Sequence, residues 1–152
     1  MSGPEPQKAS CMLLGLKDRQ MLVPRTMVAE IVRYSFINFE QDEMRGIDSF
    51  EWRGCQVPHL KSNVIGIEED TEFDDEARVV IFYGLKDTQK MPFYGMTVNR
   101  SPQLLQVGDE DLEEIDAESL HPAELMQVRI KDGEAFIPKV DQIENSLLKL
   151  LN

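Results

Sequence analysis

The chain has 152 residues, 41% of them hydrophobic and 29% charged, with a formal net charge of −12. A chain of that length can bury a core without staples, and no apolar run approaches the ~18 residues of a membrane helix, so neither a disulfide scaffold nor direct membrane insertion is expected. The acidity excludes nucleic acid, whose binders cluster cations against phosphates.

Residues 1–10 carry Gly3, Pro4, Pro6 and two serines without an apolar core, which predicts a flexible tail and no secretory signal. Residues 11–16 and 20–23 are short apolar stretches divided by Lys17-Asp18-Arg19, the pattern of a hairpin. Pro24 stops that ladder and can open a helical turn, with Met27, Val28 and Ile31 at helical spacing. Residues 31–36 return to strand, and a polar link containing Gly46 follows.

The stretch Phe50-Glu51-Trp52-Arg53-Gly54-Cys55-Gln56-Val57-Pro58 alternates apolar and polar residues on both sides of Gly54. It predicts strands over 49–53 and 55–60 with a bulge or corner at Gly54, and it places Pro58 at a strand end or edge. Arg53 therefore stands at a bend, where its planar five-donor head can meet a carboxylate or main-chain carbonyls.

Residues 77–85 form a nearly continuous apolar run, as in a strand covered on both faces, and 91–99 and 104–107 follow as strands. Residues 109–115 and 122–125 could contain helical turns, with no clear register. Residues 127–131 and 134–138 flank Asp132-Gly133, the strongest hairpin signal in the chain. From 139 to 152, Val140, Ile143, Leu147, Leu148, Leu150 and Leu151 recur at helical spacing, so an amphipathic helix covers the end of the β structure. Ten strands result, five before the acidic residues 68–76 and five after, which is the economy of a barrel or a pair of barrels.

The runs 68–76 and 109–118 hold seven acids each and no base, leaving a body with 14 acids against 16 bases. Docking to a basic face and calcium capture are open to them, but 68–76 lacks the glycine and terminal glutamate of a calcium loop. Solvated connections are the plainer reading. Cys11 and Cys55 are two isolated thiols without a neighbouring histidine, fitting a reducing cytoplasm and a packing role. His59 and His121 make no metal-ligand spacing, and no catalytic triad or cofactor motif is present.

Four features follow one another in order: Met21-Leu22-Val23-Pro24, Val28-Ala29-Glu30-Ile31, Trp52-Arg53-Gly54 leading to Val57-Pro58, and Gly95 within 93–99 followed by the Asp132-Gly133 hairpin and final helix. Together they resemble the CheW-like domain family of bacterial chemosensory adaptors. The resemblance spans about residues 11–151 and implies a mainly β fold of two intertwined five-stranded SH3-like barrels with a C-terminal helix. Sub-barrels would lie near 11–66 and 77–138, within one CheW-like domain.

The resemblance also implies no catalysis and no cofactor. The implied partners are the regulatory domain of a CheA-type histidine kinase, the cytoplasmic tip of a methyl-accepting chemoreceptor, and other CheW-like proteins. By position, Val28, Glu30, Ile31 and Arg53 would contact partners, while Pro24, Trp52, Gly54, Pro58 and Gly95 would shape the backbone.

The chain departs from the family pattern at His59-Leu60-Lys61, at Asn99 and at Lys139, where acidic residues are usual at 61, 99 and 139. These replacements suit an adaptor of a type IV pilus and twitching-motility system, similar to ChpC proteins. Plainer roles stand beside these: Val28 and Ile31 as core, and Glu30 with Arg53 as a surface ion pair worth about 0–1 kcal/mol. A small-molecule-binding or enzymatic β-barrel is the alternative, requiring convergent polar groups in a pocket.

Overall fold

A computed structural model describes residues 7–67, 72–116 and 120–151. Its strands are β1 (Ala9–Gly15), β2 (Gln20–Pro24), β3 (Val28–Arg33), β4 (Glu40–Asp42), β5 (Ile47–Trp52), β6 (Cys55–His59), β7 (Arg78–Tyr83), β8 (Phe93–Val98), β9 (Gln103–Val107), β10 (Glu113–Ile115), β11 (Glu124–Ile130) and β12 (Gly133–Pro138). One α-helix, α1 (Val140–Leu151), closes the chain, as its apolar spacing predicts. Residues 1–6 of the expected tail, and 68–71 and 117–118 of the acidic runs, lie outside the described residues.

The strands form two six-stranded sheets, ordered β10-β11-β12-β2-β1-β9 and β3-β7-β8-β6-β5-β4. Each joins two antiparallel groups of three through a single parallel residue pair, Phe136 with Met21 in the first and His59 with Gly95 in the second. Advancing every strand of the second sheet by six positions in chain order reproduces the first. The two halves of the chain are thus one topology used twice, with hairpins exchanged: β1 and β2 pair with β9 and β12, and β7 and β8 pair with β3 and β6.

This exchange explains the continuous apolar runs, because strand alternation sends successive side chains into different cores. Leu13 and Leu22 enter a cluster with Val128, Ile130 and Ala135, while Leu14, Met21 and Val23 enter a central one. Along β7, Val79 and Ile81 join Phe50 and Val57, whereas Val80 and Phe82 join the central cluster. The central cluster also takes Tyr94, Met96, Phe136 and, from α1, Ile143 and Leu147.

Several sequence expectations need correction. Met27, Val28 and Ile31 do not share a helix: a 3-10 turn over Arg25–Met27 gives way at Val28 to β3, whose β-branched residues pair with β7. Strand 31–36 ends at Arg33, with a 3-10 turn over Tyr34–Phe36. Of the turns expected over 109–115, only Asp109–Asp111 is one, and Glu113–Ile115 is a strand. That strand and β4 raise ten strands to twelve; both are three-residue, acid-rich edges formed by tertiary pairing against their own propensity.

Candidate functional site

The ladder between β5 and β6 runs without a register shift up to the pair Trp52–Cys55, leaving only Arg53 and Gly54 to reverse the chain. Gly54 is therefore not a bulge, and Arg53 is not in the strand: together they are a two-residue hairpin loop, with φ of 50° at Arg53 and 77° at Gly54. Positive φ at both central residues is the demand of a type I′ turn, normally met by Asn-Gly. Arg53 is the one non-glycine residue at positive φ among those described, and a side chain there costs about 1–2 kcal/mol.

From this tip the Arg53 guanidinium reaches two groups. Its Nη2 donates to Glu30 Oε2 at 2.9 Å, and its carbon centre lies 4.6 Å from the Trp52 ring. The head stays largely open, at 70% side-chain exposure. Trp52 meets Phe93 edge-on at 4.9 Å, and Phe93 lies 5.8 Å from Tyr83, so an aromatic row supports the hairpin tip. Gly95 lets this layer close, since a Cβ there would come within 2.9 Å of the Phe50 ring. Pro58 is buried one residue before the end of β6.

The four residues of the implied contact surface are not one patch. Val28 stands opposite Phe82 and Ile31 opposite Val80, the core-facing side of β7, whereas Glu30 stands opposite Ile81. A register shift between Val28 and Glu30 puts them on different faces of this edge strand. Glu30 and Arg53 are brought together; Val28 and Ile31, half-buried, lie on the side of the central core.

On Val28's side, an apolar groove of about 350 Å³ is lined by Pro24, Thr26, Met27, Leu85, Ile137, Pro138 and Val140. It draws on the first sheet at Pro24, Ile137 and Pro138, on the turn before β3, on the loop after β7 and on the start of α1, and Leu85 is 64% exposed in it. No local pattern signals this groove, because its residues converge only through the hairpin exchange.

The departures from the family pattern also find places. His59, Lys61 and Asn99 line one cavity of about 40 Å³ together with Leu16 and Thr97. His59 Nε2 lies 2.8 Å from Thr97 Oγ1, its ring packs on Phe39, and its Nδ1 is buried without a partner among the described residues. Burial lowers its pKa to about 4, with Asp48 opposing and Lys61 reinforcing the shift. Lys139 is exposed at the start of α1, its N–H donating to Ala123 O.

Two buried carboxylates are structural. Glu144 Oε1 accepts the N–H groups of Leu85 and Lys86 at 2.8 and 2.9 Å, tying α1 to the loop after β7. Glu124 is clasped by Arg19, whose guanidinium also covers the Phe136 ring, and by Gln127. Burial raises the Glu124 pKa, but these hydrogen bonds and the Arg19 charge outweigh it, and the net shift is downward. Cys11 and Cys55 stand in different sheets, and no three His, Cys, Asp or Glu among the described residues could hold a metal.

No protein-family model matches the sequence. The crystal structure of the scaffolding protein TtCheW from Thermoanaerobacter tengcongensis matches with a TM-score of 0.69 over 92% of this chain and 90% of that one, at 14% identity. The chain has the CheW fold. One curated protein, named "Probable 4-hydroxyproline 2-epimerase" from Rhizobium meliloti (strain 1021), is 28% identical over 123 residues. That alignment covers 77% of this chain but 33% of the epimerase, so the chain spans about a third of that relative's length.

Proposed function

We propose that this chain is a non-catalytic cytoplasmic adaptor that couples a methyl-accepting chemoreceptor to a CheA-type histidine kinase, in a chemosensory system of the type IV pilus and twitching-motility kind served by ChpC-type adaptors. The observation that carries the reading is the likeness of nearly the whole chain to a CheW scaffold. Two local features support it. An arginine is retained at a turn position that disfavours it, paired yet open to solvent, and strain kept at an exposed charged residue points to use. The apolar groove lined by Met27 and Leu85 offers an open cleft for an apolar partner element next in sequence to Val28.

In this mechanism nothing is bound covalently or turned over. Arg53 exchanges its exposed ion pair with Glu30 for a partner carboxylate, and Met27 and Leu85 bury apolar side chains of a receptor or kinase element. Binding of the full chain to a CheA-type regulatory domain and to a receptor-tip fragment, by pull-down and calorimetry, tests the reading. Arg53→Glu and Val28→Asp should each weaken one of these associations at least tenfold; if both variants bind every partner like the parent chain, the assignment is wrong.

The epimerase similarity favours a second reading, a small-molecule enzyme or binding barrel. It requires paired acid–base groups facing one cavity. Cys11 and Cys55 do not converge, and burial raises the Cys11 pKa, opposite to an activated thiol.

A further inference from the structure

Among the described residues the two sheets have four edges, and three are protected against strand addition. β4 carries Glu40 and Asp42, β10 carries Glu113 and Glu114, and β3 carries Glu30, Arg33 and the register shift. β9 has none of these devices. It reads Gln103-Leu104-Leu105-Gln106-Val107, without charge, proline or bulge, and its ladder to β1 is regular over all five residues. Leu104 is 53% exposed on it.

The charges flank this edge instead, with opposite signs at its two ends. Before β9 stands Arg100, exposed and in no ion pair with any described residue. After it come Asp109, Glu110 and Asp111; Lys8 holds the last two, while Asp109 is exposed and unpaired among the described residues. A strand that is positive at its start and negative at its end complements its own antiparallel copy. We propose that β9 is a self-association edge, pairing with β9 of a second copy of this chain about a two-fold axis midway between the two Leu105 residues.

The register follows from the sequence. Opposed side chains in an antiparallel pair share a face, so a two-fold axis normal to the sheet must set one residue opposite its own copy, with the axis midway between them. Centred on Leu105, the pairing sets Gln103 against Val107 and Leu104 against Gln106 of the other copy, so all five residues pair. Centred on Leu104 it would place Pro102, which lacks an N–H, opposite Gln106. In the Leu105 register Arg100 of each copy arrives at the Asp109–Asp111 end of the other, twice by symmetry. The net charge of −12 opposes association at a distance, but that repulsion fades over about 8 Å at physiological salt, whereas the paired ends are in contact.

Sedimentation velocity of the full chain from low to high micromolar concentration tests this. The expected result is a monomer–dimer equilibrium, with slowed amide exchange across Gln103–Val107 in the dimer. Leu104→Lys, a solvent-side gatekeeper, should shift the dissociation constant at least tenfold. Arg100→Glu alone and Asp109→Arg alone should each weaken self-association, since both ends then repel. Mixing those two variants should restore a heterodimer, because both ends attract again, and a fold defect in either variant could not produce that rescue. A chain that stays monomeric throughout, or a dimer indifferent to all three substitutions, overturns the proposal.

Discussion

Arg53 sets two effects of similar size against each other. Its left-handed backbone costs about 1–2 kcal/mol, while the exposed pair with Glu30 and the stacking on Trp52 contribute about 0–1 and 0.5–1 kcal/mol. Arg53→Asn, which suits a type I′ turn, should therefore leave stability within about 1 kcal/mol of the parent in urea denaturation, while weakening partner binding. A loss above about 2 kcal/mol on that substitution would make Arg53 structural. His59 supplies a second residue-scale expectation. Its folded pKa of about 4 lies below the ordinary 6.5, so the unfolded chain takes up a proton that the folded one refuses, and stability falls as pH drops from about 6.5 to 4, by about 3 kcal/mol. Comparing denaturation midpoints of the parent and His59→Gln across that range isolates the effect; the parent-specific slope should vanish in the variant. The arginine and its glycine were legible as a bend because Gly54 follows an alternating run. Their positive φ angles were not, since Arg-Gly lacks the Asn that marks such turns.

At the scale of elements, α1 is held by more than its apolar stripe. Glu144 satisfies two main-chain donors of the loop after β7, bonds of the charge-assisted kind worth about 1.5–3 kcal/mol each. Glu144→Ala should destabilise by about 2–4 kcal/mol and expose the amides of Leu85 and Lys86 to hydrogen exchange; Glu144→Gln, which keeps an acceptor oxygen, should lose about half as much. The Arg19 and Glu124 pair does similar work between the β1–β2 turn and β11. Because the Glu124 pKa is depressed in the fold, its contribution is present above the ordinary carboxylate range and is lost as pH falls through the folded value. Arg19→Met would leave a buried carboxylate unpaired, and thermal melts should show a loss of about 2–4 kcal/mol at neutral pH that narrows on acidification. The helix was readable from Val140 to Leu151 because one face repeats at 3.6 residues. Nothing in the local pattern announced that a glutamate on that helix would be buried, since its partners are main-chain groups about 58 residues away. The acidic strands β4 and β10 escaped for a related reason: their state is decided by a neighbouring strand, not by their own side chains.

For the whole molecule, the mainly β class, the strand abundance and the closing helix followed from period-2 runs, turn residues and the final amphipathic repeat. The exchange of hairpins did not, because pairing between β1 and β9, or β3 and β7, is a long-range choice that no local spacing encodes. The exchange has a direct test. A fragment of residues 1–67 holds β1 and β2 without their partners β9 and β12, and β3 and β6 without β7 and β8. It should stay unfolded alone by circular dichroism, and so should 72–152. Mixing the two should recover native-like signal, and the intact chain should unfold in one transition seen identically by fluorescence and circular dichroism. An independently folded fragment would mean that the two halves of the chain are separable.

Ladders that cross between the halves also decide how force could travel. With β1 and β2 stitched among later strands and β7 and β8 among earlier ones, neither half of the chain can swing as a body while the other stays still. Displacing the Arg53 tip would have to break backbone pairing or carry the groove at Leu85 along with it. If the chain serves as an adaptor, a signal crossing it would then have to be encoded as a tilt of the linked body.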